Sequence, residues 1–197
     1  MILRMLIVTI WGLWCLAWAA ASRGVKPVAR GDSWSDWLTR QVPYVGGLAL
    51  LALPAPSGLL AHRIVPTGDE IAPLLVALTV GGLGLTLWAR RVLGGNWSNV
   101  VVLREHHELV TDGPYTLVRH PIYSGLLLAA IAWSLADGSV MALGGITLVV
   151  GALAVQIRDE ERLMDAAFGA SYARYRAEVP ALLPLGAPGR LLAYLTR

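Results

Sequence analysis

Two segments of this 197-residue chain concentrate its ionisable and hydroxyl side chains. The first, residues 94–123, reads GGNWSNVVVLREHHELVTDGPYTLVRHPIY. The second, residues 158–184, reads RDEERLMDAAFGASYARYRAEVPALLP. In the first, Arg119 and His120 directly precede Pro121. A residue before proline is pushed away from the α region, and proline suits the first position of a helix. A helix beginning at Pro121 would hold Arg119 and His120 at its mouth and Tyr123 on its first turn. Its unpaired N–H groups and positive dipole end suit an anion, and Arg119 adds a charge, so a carboxylate or phosphate would be favoured there. A snorkelling arginine beside an interfacial tyrosine is the other reading.

In the second segment, Arg158, Asp159, Glu160, Glu161 and Arg162 continue an apolar run. Arg158 and Arg162 can pair locally with Glu161 or Asp159 on one helix. Alternatively, Glu160 or Glu161 faces a cationic group contributed from elsewhere. Leu109 to Tyr115 reads as an apolar pair followed by a tight turn, and such a turn exposes backbone groups able to hydrogen-bond a planar base. His106 and His107 precede it. Adjacent histidines do not share a helix face, and no HExxH or carboxylate triad accompanies them, so no metal is assigned; they read as interfacial or ligand-contacting.

The elements that must carry these residues are membrane spans. Hydrophobic residues make up 56% of the chain and charged residues 15%, against about 25% charged in soluble domains. That balance excludes disorder, a fibre and a nucleic-acid-binding tail, and it disfavours a soluble enzyme. Runs long enough to cross about 30 Å of hydrocarbon predict five spans: Ile2–Ala21, Val42–Ala61, Ile71–Ala89, Pro121–Ala136 and Val140–Ile157. The last two form a hairpin through Asp137-Gly138-Ser139. Fourteen of the sixteen Lys and Arg residues then fall on one side, all but Arg4 and Arg63. The positive-inside rule places the N-terminus outside and the C-terminus in the cytoplasm. Both polar segments flank the hairpin on that cytoplasmic side, so its folding brings them together. The composition, rich in Ala, Gly, Arg and Trp, points to a high-GC bacterial source and hence an inner-membrane protein. Arg4, the apolar stretch and Ala19-Ala20-Ala21 also mimic a cleavable signal; the weak basic start and long apolar run favour a retained span.

Other features read as packing. Gly46-Gly47 and Gly81-Gly82 with Gly84 let helices approach closely. Trp11, Trp14 and Trp18 share one helix face, as lipid contact or helix packing requires. Cys15, the single cysteine, reads as a small buried hydrophobe. A non-enzymatic membrane scaffold or transporter subunit is a further reading; no acidic residue lies inside a span, which counts against a proton or ion path and so against transport.

The string LVTDGPYTLVRHPIYSG (Leu109–Gly125), followed by EERLMDAAFGASYARY (Glu160–Tyr175) and Val179-Pro180, resembles the isoprenylcysteine carboxyl methyltransferase family. That family belongs to a wider group with the phospholipid N-methyltransferases. The resemblance covers about residues 90–184. It implies an all-α polytopic integral membrane enzyme of about five transmembrane helices that uses S-adenosylmethionine. It also implies a division into residues 1–89, the first three spans, and residues 90–197, a cofactor-binding core with the hairpin 121–157 and C-terminal amphipathic helices. The core would form the pocket on the cytoplasmic side. Carried over, Leu109, Val110, Thr111 and Gly113 would contact the cofactor through the turn. Tyr115, Arg119, His120 and Tyr123 would line its amino-acid end. Glu160 and Glu161 match paired glutamates, one of which contacts the cofactor, and His107 matches a histidine before the turn.

Arg119 and the start of the fourth span would hold the cofactor carboxylate, and Glu160 or Glu161 its ammonium. A carboxylate acceptor needs no general base; it needs a cation to orient it, Arg158 or Arg119. An amine acceptor, as in phospholipid N-methylation, would need a proton acceptor such as His120 or a glutamate. The expected catalytic residues are therefore Arg119, Arg158 and Glu161. The lipophilic acceptor would enter from the bilayer, among membrane lipids. A reading of another class is an NADPH-dependent membrane reductase of the sterol-reductase type, disfavoured by the short length. The sequence fixes no oligomeric state.

Overall fold

Within hydrocarbon every backbone polar group must be satisfied internally, and the apolar runs accordingly fold as helices. The computed structural model describes residues 2–21, 28–30, 34–66, 68–97, 103–104 and 109–184. The helices are α1 (Ile2–Ala21), α2 (Trp34–Ala52), α3 (Ala72–Leu93), α4 (Pro121–Asp137), α5 (Val140–Phe168) and α6 (Ala170–Glu178). The protein is an all-α integral membrane protein. Ile2–Ala20, α3 and α5 are long and apolar enough to cross a membrane, and α4 is a shorter apolar helix. The β structure among the described residues is one short antiparallel pairing of Val28–Arg30 with Leu103–Arg104 and an isolated antiparallel bridge between Arg63 and Ser139.

The first, fourth and fifth predicted spans begin where α1, α4 and α5 begin. The third runs on to Leu93. The second is displaced: the prediction of Val42–Ala61 is replaced by a helix over Trp34–Ala52. Pro54 and Pro56 lie beyond its end, where proline removes a donor and restricts the residue before it. It starts earlier because Arg40 and Gln41, near its start, face the cavity and not lipid. At 29 residues, α5 is about 43 Å long. It outreaches about 30 Å of hydrocarbon, so its last turns carry Glu160 and Glu161 beyond the apolar stretch.

The α4–α5 hairpin turns at Gly138, whose φ of 71° favours glycine. Ser139 caps α5 by accepting from Ala142 N at 3.1 Å. Two close crossings set the bundle. α3 packs on α4 where Gly82 meets Gly125, and α2 packs on α5 where Gly47 meets Gly145. Gly46, Gly81 and Gly84 have open space beside them, so only one glycine of each group does the packing. α1 lies on α3 and α4, burying Ile7 and Trp11. Cys15 is exposed, contrary to the expectation of burial. It sits among the exposed Leu13 and Leu16 of α1, where the bilayer itself supplies the apolar surroundings.

The helices alternate in direction. At one end Arg4 donates to Ala52 O at 3.1 Å and pairs with Asp137 at 3.6 Å. There Val140 N also donates to His62 O at 3.0 Å. The ends of α1, α3 and α5 and the starts of α2 and α4 gather opposite. The two polar segments therefore meet, as the hairpin requires.

Candidate functional site

His120 has φ −122° and ψ 61°, and α4 starts at Pro121. The residues after α6 bind this start through backbone hydrogen bonds. Arg119 N donates to Pro180 O at 2.8 Å and His120 N to Ala181 O at 3.0 Å. Ser124 Oγ donates to Leu182 O at 2.7 Å. α6 is held in turn by Tyr175, whose hydroxyl donates to Tyr115 O at 2.7 Å.

The Arg119 guanidinium is committed within the protein. Nε donates to Glu161 Oε1 at 3.0 Å, and Nη2 donates to the same oxygen. Nη1 donates to Arg176 O at 3.1 Å and to Val179 O. His120, 8% exposed, places Nε2 3.2 Å from Glu161 Oε1 and Nδ1 3.6 Å from Glu160 Oε2. Burial pulls the imidazole pKa down, but hydrogen bonds and charges from Glu160 and Glu161 outweigh it, and the net shift is upward from 6.5. The ring stacks on Tyr123 with centroids 5.7 Å apart. Tyr123 donates to Glu160 Oε1, and Gln156 Nε2 donates to the Tyr123 hydroxyl at 3.2 Å. Burial, then the Glu160 charge, pushes the Tyr115 hydroxyl far above 10, so it stays protonated.

These groups border a cavity of about 320 Å³, within the range of roughly 300–1,000 Å³ of small-molecule sites. Its walls come from both halves of the chain. α1 contributes Trp14 and Trp18, and α2 contributes Arg40, Tyr44 and Leu48. Trp97, Leu109, Val110 and Tyr115 follow from the connection between α3 and α4. Ile122, Tyr123 and Leu126 of α4 face Leu153, Gln156 and Glu160 of α5, and Tyr172 and Tyr175 of α6 close one side. Among the described residues one carboxylate, Glu160, lines it beside aromatic and aliphatic surfaces.

Residues 75–166 match the isoprenylcysteine carboxyl methyltransferase (ICMT) family. A nickel-cobalt-cadmium resistance protein, NccN, of Alcaligenes xylosoxydans xylosoxydans is 34% identical over 159 residues, 68% of this chain and 71% of the relative. The chain belongs to the ICMT family. Cobalt-zinc-cadmium resistance protein CzcN of Cupriavidus metallidurans is 38% identical over 59% of this chain and 52% of its own length. Protein-S-isoprenylcysteine O-methyltransferase B of Arabidopsis thaliana is 34% identical over 46% of this chain and 48% of its own. The chain thus spans about half the length of these last two relatives. The ICMT match reaches from α3 into α5 and omits α1, α2 and α6.

Of the residues predicted for this ICMT-family site, Leu109, Val110, Tyr115, Arg119, His120, Tyr123 and Glu160 line the cavity. Glu161 lies behind this wall, on Arg119 and His120. Thr111 and Gly113 stand off the wall; Gly113 has φ 58°, and a Cβ there would come 3.0 Å from Val92, so it shapes the turn instead. Arg158 is exposed and off the wall, because the cavity side of α5 is taken by Gln156 and Glu160. His107, with His106, lies outside the described residues. Among the described residues no three His, Cys, Asp or Glu side chains group as a metal site.

Sequence reasoning missed Trp14, Trp18 and Trp97. The Trp14 and Trp18 rings lie tilted with centroids 5.0 Å apart, and Trp18 meets Trp97 edge-on at 5.5 Å. The helical spacing of the first two was visible, but nothing local showed that their face turns toward a cavity. Arg40 was counted only as a cytoplasmic-side charge. Its spacing of four from Tyr44 and eight from Leu48 was the available signal, hidden by starting the second span at Val42.

Proposed function

We propose that this chain is a membrane methyltransferase that uses S-adenosylmethionine and methylates a carboxylate on a lipophilic acceptor, most like isoprenylcysteine O-methylation. The observation that carries this reading is the cavity's composition. The Glu160 carboxylate shares the cavity wall with Trp14, Trp18, Trp97 and Tyr44. These residues fit the cofactor: a carboxylate suits its ammonium, aromatic faces attract a cation such as the sulfonium, and the turn at Leu109 and Val110 offers backbone groups to adenine. When bound, S-adenosylmethionine supplies an electrophilic methyl group.

In this reading Glu160 faces the ligand. Glu161 and Arg119 hold His120 and the strap after α6 in place. Residues 90–197 hold the cofactor, and residues 1–89 complete the acceptor side through α1 and α2. The aliphatic walls exclude water and admit the acceptor's tail from the bilayer. S-adenosylmethionine held at this wall would supply the methyl group, and the cavity would set the acceptor oxygen in line with it. A carboxylate acceptor is already an anion, so no proton moves, and the protein's task is alignment. The cavity end faces the cytoplasm, in a bacterial inner membrane.

The test is calorimetry of the detergent-purified chain with S-adenosylmethionine and S-adenosylhomocysteine, with NADPH as the control, followed by transfer of a labelled methyl group to lipophilic acids. Micromolar binding of the first two and base-labile label in the lipid fraction are expected. Binding of NADPH alone by folded protein overturns the reading. Label in a phospholipid headgroup replaces O-methylation with N-methylation.

A further inference from the structure

Gln156 stands on α5 one turn before Glu160, and both line the cavity. Residues four apart share a helix face. Gln156 is 7% exposed. Its Nε2 donates to the Tyr123 hydroxyl at 3.2 Å and to Glu160 Oε1 at 3.4 Å. The carboxylate fixes the direction of the amide: reversed, the amide oxygen would face Glu160, which only accepts. Oε1 is therefore turned away from Glu160. Among the described residues Gln156 makes no other hydrogen bond, so Oε1 has no protein partner.

A clasp between Tyr123 and Glu160 accounts for the amide nitrogen and not for the oxygen. A polar group taken from water without a hydrogen bond costs free energy, and native structures hold few of them. On a cavity wall the missing partner is a donor on the ligand. The neighbours define that donor. One turn earlier on α5, Ala152 and Leu153 line the cavity with apolar groups, and one turn later stands the Glu160 carboxylate. A donor held between Gln156 and Glu160 meets one neutral oxygen and one anionic oxygen. An ammonium suits both, since it carries a charge and several donors; a sulfonium carries the charge alone. Gln156 Nε2 lies 3.4 Å from Glu160 Oε1, and the amide oxygen is the next atom but one. A single ammonium, donating over about 2.7–3.2 Å, can reach both oxygens.

We propose that Gln156 Oε1 accepts a hydrogen bond from the ammonium group of the bound cofactor and shares that group with Glu160. This rests on the methyl-transfer reading and adds to it a further cofactor-contacting residue. Gln156 lies outside both sequence strings that carry the family resemblance. Its amide nitrogen has a second task. By donating to the Tyr123 oxygen, it directs the Tyr123 proton to Glu160 Oε1.

The test uses the full chain in nanodiscs and two probes, S-adenosylhomocysteine and its desamino analogue, in which hydrogen replaces the α-ammonium, titrated by calorimetry. The amine should bind at least about a hundredfold more tightly, the order of two hydrogen bonds made by a charged group. Gln156→Met keeps the bulk and removes the oxygen. It should shrink this preference by about tenfold and leave the affinity for the desamino analogue within about twofold. An unchanged preference in Gln156→Met overturns the proposal. So does an equal loss of both probes, which a merely structural residue would give. If Gln156→Met does not fold, Gln156→Glu decides. It sets a second acid beside Glu160, with Tyr123 and His120 as the other ionisable neighbours. Paired acids share a proton, and the ammonium must displace it. The preference should then rise from about pH 6 to about pH 8 more steeply than in the unmodified chain, and an identical rise overturns the assignment. Equal binding of both probes by the unmodified chain removes the ammonium from this wall and leaves the methyl-transfer reading standing. Binding of neither probe sinks that reading and this inference with it.

Discussion

Arg119 grips Glu161 with two nitrogens, Nε at 3.0 Å and Nη2, on the single oxygen Oε1. The residues are 42 positions apart, one at the mouth of α4 and the other on the outer turns of α5. The third nitrogen reaches carbonyls at Arg176 and Val179. One side chain therefore fastens α4, α5 and the end of α6 together.

Breaking this pair should cost stability and ligand affinity together. The side chains are 9% and 19% exposed, and removing one partner of a buried pair costs about 3–5 kcal/mol. Arg119→Ala and Glu161→Ala should each lower the melting temperature in detergent. Each should also weaken S-adenosylmethionine binding by about tenfold or more, because the cavity wall moves with the clasp. Unchanged affinity in both folded variants would remove these residues from the site.

The neighbouring glutamate should behave in the opposite way. Glu160 accepts from Tyr123 and Gln156 and lines the cavity. Glu160→Gln keeps the shape and removes the charge offered to the ligand. A charge-assisted hydrogen bond is worth about 1.5–3 kcal/mol, so affinity should fall by roughly tenfold or more while the melting temperature changes less than in Glu161→Gln. The same ranking of both variants in both assays would refute the division of roles.

Much of this site can be read in the chain, and the reason is local. Arg119-His120-Pro121 encodes a helix start through proline alone, and the hairpin between Asp137 and Ser139 forces the two polar segments together. The roles of Arg119 and Glu161 could not be read, because the strap carbonyls at Arg176 and Val179 satisfy Arg119 only after α6 folds back. Arg40, Trp14 and Trp18 were equally hidden. Their helices bear lipid on one side and the cavity on the other, and an apolar stripe looks the same in both settings. Arg158 and Glu160 differ by two positions on α5, and which of them faces inward depends on how α5 rotates against α2, a tertiary fact set by the Gly47–Gly145 contact.

A pH dependence follows from His120. It is faced by Glu160 and Glu161 of α5, flanked by Arg119, and stacked on Tyr123. Its folded pKa lies above 6.5. The charged imidazole therefore stabilises the fold fully below about 6.5, and that contribution is lost as pH rises through the folded value. The melting temperature should fall between pH 6 and pH 9, and His120→Asn should flatten that fall. An identical slope in the variant would show that His120 is not the titrating group.

Orientation is open to a direct reporter. Reporters that are active only in the cytoplasm, fused after Arg197, should be active, and a periplasmic reporter there should be silent. The reverse result would put the cavity end outside, away from a cytoplasmic pool of S-adenosylmethionine.

The α3–α4 crossing should tolerate no side chain at its contact point. A Cβ on Gly82 would lie 2.6 Å from Gly125 O, and one on Gly125 would press on Gly82 O and Thr86. Both obstacles include backbone, which cannot swing aside. Gly82→Ala and Gly125→Ala should each destabilise by about 1–3 kcal/mol through overpacking. Gly81→Ala and Gly84→Ala, with open space beside them, should be neutral or slightly stabilising, since alanine is the better helix former by about 1 kcal/mol. Thermal unfolding of the four variants in one detergent checks this. Equal melting temperatures across the set would mean that α3 and α4 do not cross at this pair, and the α4 mouth, which that crossing sets against α3 and α5, would have to be placed anew.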